Sequence, residues 1–308
     1  MRMKRRVQML VFPLVSLLML LAVLATLTLR SRYCSIVVAE SEIDGDVIIA
    51  VIDTGISTAS IAQEKVLPGF NYVMETDDTA DTIGHGTAIA SIILGSEPAG
   101  VTGIAPDSKV VPLVVACRNE NGNIVSIEPS ALAEVIRDGV DYFGADVINL
   151  SMGTVTDSRE LRSAVSYAQK CGTVVVASVA NNNTEGNVLY PAGYPGVIGV
   201  GAVDKNNQVS SFSQKSKAVM LVAPGEDFWM ASREGKKFGA KGTSYAAAFV
   251  SGAAAALLEA NPKLTPDEIR VILCKSALDL GFAGYDEESG YGALQIDKAL
   301  AMAAEQEH

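Results

Sequence analysis

Six runs of four to eight apolar residues, dominated by Val and Ile, recur along this chain at 47–52, 110–115, 146–150, 173–177, 197–203 and 219–223. Their hydrophobicity is continuous rather than alternating, so both faces of each strand must be covered, as in the parallel sheet of an α/β protein. Between and after them lie stretches of helical character at about 86–95, 129–143, 159–170, 244–259 and 266–278. This alternation predicts a three-layer, doubly wound parallel sheet. Thr265-Pro266-Asp267-Glu268 combines a capping hydroxyl, a proline suited to the first helical position and a reciprocal glutamate, so a helix is expected to start there. Without the N-terminal thirty or so residues, about 275 remain, enough for one large domain. No repeat, low-complexity tract or interdomain linker interrupts them.

The chain has two histidines, and His308 is its last residue. A proton shuttle working near neutral pH is therefore His85, within Gly84-His85-Gly86-Thr87. Upstream, the first apolar run ends in Asp53, followed by Thr54-Gly55. That places a carboxylate at the carboxyl end of a buried strand, where open α/β sheets put their sites. Downstream, Gly242-Thr243-Ser244-Tyr245-Ala246-Ala247 presents a hydroxyl at the start of a small-residue helix, whose N-terminal dipole would face it. Ser244 also suits a plain N-cap, and the two roles are compatible. A strand-terminal turn for Asp53 and a satisfied core histidine for His85 are the bland alternatives. Asp, His and Ser in that chain order form one of the known arrangements of a serine-nucleophile triad.

These motifs resemble those of the subtilisin-like serine peptidases, the subtilases, and the likeness spans about residues 44–300. Val147-Ile148-Asn149-Leu150-Ser151-Met152-Gly153 is similar to the family's substrate-binding strand, and Val174 through Asn181 to the strand leading to its oxyanion asparagine. Tyr190-Pro191-Ala192 and Gly290-Tyr291-Gly292-Ala293-Leu294 also fit. The resemblance implies an endopeptidase acting through an acyl-enzyme, with Ser244 as nucleophile, His85 as general base and then acid, and Asp53 orienting the imidazole. It implies Asn181 as oxyanion donor, a role worth about two to three orders of magnitude in turnover. Asn181-Asn182-Asn183 is equally a turn signal. An extended peptide would add as a strand along Ser151, Met152 and Gly153. The pocket for the residue before the scissile bond would be walled by these three and by Ser178, Val179 and Ala180, with Leu189 near its base. Ala180 and Leu189 stand where the family has glycines, so a shallow pocket that disfavours large aromatic side chains is expected.

Other departures are Ala88, where the family often has a second histidine, and Tyr245-Ala246-Ala247-Ala248-Phe249 in place of Met-Ala-Ser-Pro-His. The chemistry calls for no cofactor. The stretch Gly95–Thr102, where many subtilases hold calcium, supplies one carboxylate, Glu97, and no Asp/Asn array; calcium through Glu97 and carbonyl oxygens stays open but unsupported.

Arg2, Lys4, Arg5 and Arg6 precede 23 residues without a charge, Val7 to Leu29. As a helix these would extend about 35 Å, enough to span a bilayer with some tilt. Arg30 and Arg32 follow without a clear Ala-x-Ala exit, so residues 1–32 are expected to be a transmembrane signal anchor, a removed signal peptide being the alternative. Four basic residues before the span against two after it, a modest margin, favour the N-terminus inside and the peptidase on the extracytoplasmic face of the cell membrane, or outside the cell if the segment is cleaved. Residues 33–46 are expected to be a connector far too short for the family's inhibitory pro-domain, and 47–308 the peptidase domain. Folding without a pro-domain suggests unaided folding, a helper chain, or a specialised processing role like that of subtilase leader peptidases of lanthipeptide pathways. Beyond residue 32 there are 18 basic and 35 acidic residues, a balance of −17, which disfavours nucleic acid as a partner. Cys34, Cys117, Cys171 and Cys274 lack metal-ligand spacing, and most are expected to be buried free thiols. The rival to a peptidase is a non-catalytic, membrane-anchored peptide-binding module with the same groove.

Overall fold

The Val/Ile runs do form strands: β1 Ile48–Asp53, β3 Lys109–Val114, β4 Val147–Leu150, β5 Val174–Ser178, β6 Ile198–Val203 and β7 Leu221–Pro224, with a short strand β2 at Phe70–Asn71. They come from a computed structural model that describes residues 46–183 and 186–305. All seven join one sheet in the order β7-β6-β5-β4-β1-β3-β2, every neighbouring pair parallel. The chain lays down β3 on one side of β1, then crosses over to add β4 to β7 in turn on the other. The winding reverses at β1, and a crevice is expected beside its carboxyl end, where Asp53 sits.

Alternate residues of β1 face opposite layers. Ile49 and Val51 point toward α1 (His85–Leu94), α4 (Thr243–Ala260), α5 (Pro266–Ser276) and α6 (Ile296–Glu305). Ile48, Ala50 and Ile52 point toward α2 (Leu132–Asp141) and α3 (Arg159–Lys170). Helices α2 and α3 bury one stripe each, Leu132, Val135, Ile136 and Gly139 in the first and Leu161, Ala164, Val165 and Ala168 in the second, at the three-and-four spacing of a surface helix. Helices α1 and α4 are buried almost all round, because their Ala, Gly and Ser side chains let sheet and neighbouring helix approach from several sides. The three-layer architecture is thus as expected.

Differences lie at the margins. The sequence reading omitted β2, too short to show a period, and α6, whose buried side chains are only Ala299 and Ala303. The 129–143 stretch opens with a 3₁₀ turn at Pro129–Ala131 before α2 begins. The capping box at α5 is formed, with the Glu268 N–H donating to Thr265 Oγ1 at 3.3 Å and the Thr265 N–H to Glu268 Oε2 at 2.8 Å. The cysteines depart from expectation: all three described are free thiols, but only Cys117 is buried, while Cys274 is half-buried and Cys171, capping the end of α3, is exposed. Burial pushes the Cys274 thiol up to about 11. Among the described residues no helix is long and apolar enough to cross a membrane. The expected span at 7–29, the connector before Asp46 and Cys34 lie outside the described residues.

Candidate active site

Asp53 ends β1 almost fully buried, 1% exposed, whereas His85, the first residue of α1, is 30% exposed. His85 Nδ1 lies 2.8 Å and 2.9 Å from the two oxygens of Asp53. A carboxylate accepts there, so Nδ1 carries the proton and Nε2 is left as the acceptor. The Thr54 N–H donates to Asp53 Oδ1 at 2.8 Å and steadies that carboxylate from its own turn. Burial lowers the pKa of His85, but the charge of Asp53, its hydrogen bond and the charge of Asp81 together outweigh this, and the net is above 6.5. Gly86, the glycine after His85, has a packing role the sequence reading missed. A Cβ on Gly86 would lie 2.3 Å from the Gly55 carbonyl oxygen, so this glycine lets the start of α1 press against the Asp-Thr-Gly turn.

Ser244 lies in the first turn of α4, half-buried. Its hydroxyl donates to the Ser151 carbonyl at 3.1 Å. The Ser151 hydroxyl shares its proton between Asn149 Oδ1 and the Ser244 carbonyl, both at 3.1 Å, and Asn149 Nδ2 donates to Ser251 Oγ at 2.9 Å. The expected peptide-binding segment is thereby tied to the helix carrying Ser244. Tyr245 turns its ring to His85 with centroids 5.5 Å apart, and Phe228 meets Tyr245 edge-on at 6.1 Å. Burial, then the charge of Asp53, raises the Tyr245 pKa.

Asn181 follows β5 and is exposed, yet its orientation is fixed. Its Oδ1 accepts the Thr243 N–H at 2.8 Å and the Thr243 hydroxyl at 3.0 Å. A backbone N–H can only donate, so the assignment of the amide is unambiguous and Nδ2 is left as a donor beside the first turn of α4. Helix geometry leaves the N–H groups of that turn without intrahelical acceptors.

The structure sorts the expected pocket residues. Gly153 is exposed, and a Cβ there would come within 2.7 Å of Leu189 Cγ and 2.5 Å of the Tyr190 carbonyl, so the Leu189 side chain lies directly against Gly153. Two hydrogen bonds of 2.8 Å between Thr154 and Tyr190 hold these segments together. Ala180 has φ +95°, a conformation that favours glycine. Met152 packs on the α2–α3 layer. Ser178 is buried and Val179 fully so within that layer, so Val179 can offer a peptide its backbone alone. The Gly95–Thr102 stretch is a small antiparallel hairpin pairing Gly95 with Thr102 and Ser96 with Val101.

Sequence reasoning passed over Asp81. This buried carboxylate sits where β1 and α1 meet, and its bonding is described below.

Comparison with known proteins identifies the family of this fold. The model of the subtilase family matches residues 44–292. The chain is 33% identical over 264 residues to the minor extracellular protease Epr of Bacillus subtilis (strain 168), covering 83% of this chain and 39% of that protein. It is 32% identical over 287 residues to fervidolysin of Fervidobacterium pennivorans, covering 83% of this chain and 40% of that protein. The chain thus spans about two fifths of the length of these two relatives. The crystal structure of fervidolysin, a keratinolytic enzyme related to subtilisin, superposes with a TM-score of 0.74 at 30% identity, covering 83% of this chain and 43% of that one. That of a lanthipeptide protease gives 0.71 at 26%, covering 83% and 87%. The chain belongs to the subtilase family.

Proposed function

We propose that this protein is a serine endopeptidase that cleaves extended peptides through an acyl-enzyme on Ser244. The observation that carries the reading is the double contact of His85 Nδ1 with a buried Asp53, which leaves Nε2 as a base, while Tyr245, next to Ser244 in the chain, packs on the imidazole and Asn181 bonds Thr243 just before Ser244. Rotation of the Ser244 hydroxyl from the Ser151 carbonyl to another staggered position delivers its proton to Nε2 as Oγ attacks the scissile carbonyl. Asn181 Nδ2 and the Ser244 N–H receive the developing oxyanion. The imidazolium, held by Asp53, then protonates the leaving amine, and water repeats the sequence to release the acid.

The contact between Leu189 and Gly153 supports a preference for small residues just before the scissile bond. A restricted pocket and similarity to a solved lanthipeptide protease support a specialised processing role, leader-peptide removal among them. The basic-then-apolar sequence 1–29 supports a single-pass anchor with the peptidase outside the membrane. Retention of the full-length chain in washed membranes is expected; a shortened soluble form would mean a removed signal instead.

The deciding experiment is the intact mass of the purified chain after a fluorophosphonate probe, beside Ser244→Ala. One adduct on the wild type and none on the variant is expected. The Ser244 hydroxyl bonded to Ser151 favours the second reading, a membrane-anchored peptide-binding module without hydrolysis, and a folded wild type that takes no adduct yet binds an extended peptide would support it over the first.

A further inference from the structure

Asp81 lies four residues before His85 with its side chain buried, 7% exposed. Its Oδ1 accepts the Thr54 hydroxyl at 2.9 Å and the N–H groups of Ile83 and Gly84 at 2.9 Å and 2.7 Å. Its Oδ2 accepts the Thr87 N–H at 2.9 Å and the Thr87 hydroxyl at 2.6 Å. Two of these partners extend the network across the site: Thr54 Oγ1 accepts the Gly86 N–H at 2.9 Å, and Thr87 Oγ1 the Ser57 N–H at 3.0 Å. An ordinary helix cap bonds only its own helix. Asp81 instead joins the start of the His85 helix to the turn that follows Asp53. Three of its donors are backbone N–H groups, which cannot reverse, and they are divided between both oxygens, so an amide in its place would leave at least one facing another donor.

We propose that Asp81 is a positioning residue for hydrolysis, holding the helix that begins with His85 against the strand end that carries Asp53 and thereby setting the contact between them. The proposal rests on the reading of Asp53, His85 and Ser244 as the hydrolytic centre. Four charged or titratable groups among the described residues bear on His85 or its loop. Asp53 meets Nδ1, the Tyr245 ring lies beside the imidazole, Asp81 stands behind the helix start, and Arg233 reaches the same loop by donating to the Thr82 carbonyl at 2.8 Å. Asp81 therefore adds a negative field that favours imidazolium as well as a mechanical lock.

The test is Asp81→Asn and Thr54→Val in the full-length chain, with kcat and KM expressed per serine titrated by a fluorophosphonate. Thr54→Val breaks the bridge but keeps the charge. For Asp81→Asn, kcat is expected to fall at least about tenfold with KM within about threefold, the scale of a small misplacement of reacting groups. The acid limb of kcat/KM is expected to move to lower pH. Thr54→Val is expected to lower kcat less and leave the limb in place, with Thr54→Ser restoring the rate. If Asp81→Asn does not fold, the Thr54 pair decides by kcat alone. Wild-type kcat per titrated serine in the variants that fold, whatever their yield or melting temperature, would overturn the proposal. A wild-type chain that takes no probe, or a Ser244→Ala chain that takes it equally, would instead remove the triad reading beneath it.

Discussion

At the scale of single residues, Leu189 is the side chain whose effect on selectivity is most directly readable. It lies against Gly153, in the space a peptide side chain would need if Ser151–Gly153 form one wall of the pocket. Leu189→Gly is expected to raise kcat/KM for peptides with Phe before the scissile bond at least about tenfold relative to Ala, since each methylene admitted to an apolar pocket is worth roughly ten- to two-hundredfold. The check is a peptide series varied at that position; an unchanged ratio would mean that Leu189 does not close the pocket. Leu189 and Ala180 stood out in the sequence because flanking motifs fixed their register, and the +95° φ of Ala180 supplies the backbone reason for glycine there. Asp81 was not legible. It closes an acidic loop, Asp77-Asp78-Thr79-Ala80-Asp81, that reads as a solvated turn, and its bond to Thr54 joins positions 27 residues apart. Val179 failed in the opposite way, since a motif position does not reveal which way its side chain faces.

At the scale of elements, strands showed themselves because burial on both faces writes uninterrupted Val/Ile runs, and α4 because the hydroxyls of Thr243 and Ser244 precede a long, mostly small and apolar segment. What stayed hidden was contact between elements. Gly252, in the middle of α4, would as alanine place its Cβ 2.7 Å from Ile104 Cβ, an atom one bond from the main chain and unable to swing aside. Helix propensity alone favours alanine over glycine by about 1 kcal/mol. Overpacking a well-filled core costs about 1–3 kcal/mol, so once the propensity gain is subtracted Gly252→Ala is expected to destabilise the domain by up to about 2 kcal/mol. Denaturant midpoints measure this, and adding Ile104→Ala is expected to recover part of the loss by non-additivity. A variant more stable than the wild type would show that α4 and the 103–105 segment can separate without cost.

At the scale of the whole molecule, the candidate site gathers groups from four places in the chain at one edge of the sheet. These are the end of β1, the start of α1, the turn after β5 and the start of α4. Such assembly ties the site's electrostatics to folding, and His85 makes the link measurable. Its folded-state pKa lies above 6.5, the balance falling to the charge and hydrogen bond of Asp53 and the charge of Asp81 over burial. Hydrolysis needs the neutral imidazole, so kcat/KM on an uncharged substrate is expected to fall with decreasing pH through an acid limb centred above 6.5. Stability runs the other way. A histidine whose pKa is raised by folding contributes stability that is fully present below its unfolded pKa, about 6.5, and is lost as pH rises through the higher folded value. The difference in unfolding free energy between wild type and His85→Gln isolates this contribution from other groups, such as Asp146 and Glu259, whose pKa values burial raises. That difference is expected to favour the wild type more at pH 5 than at pH 9. The site would therefore be held most firmly in the protonation state in which it cannot cut, and part of its hold is released as it becomes active. A wild-type advantage that grew with pH, or an acid limb below 6.5, would mean that burial outweighs the carboxylates and that Asp53 acts on the ring chiefly by orientation.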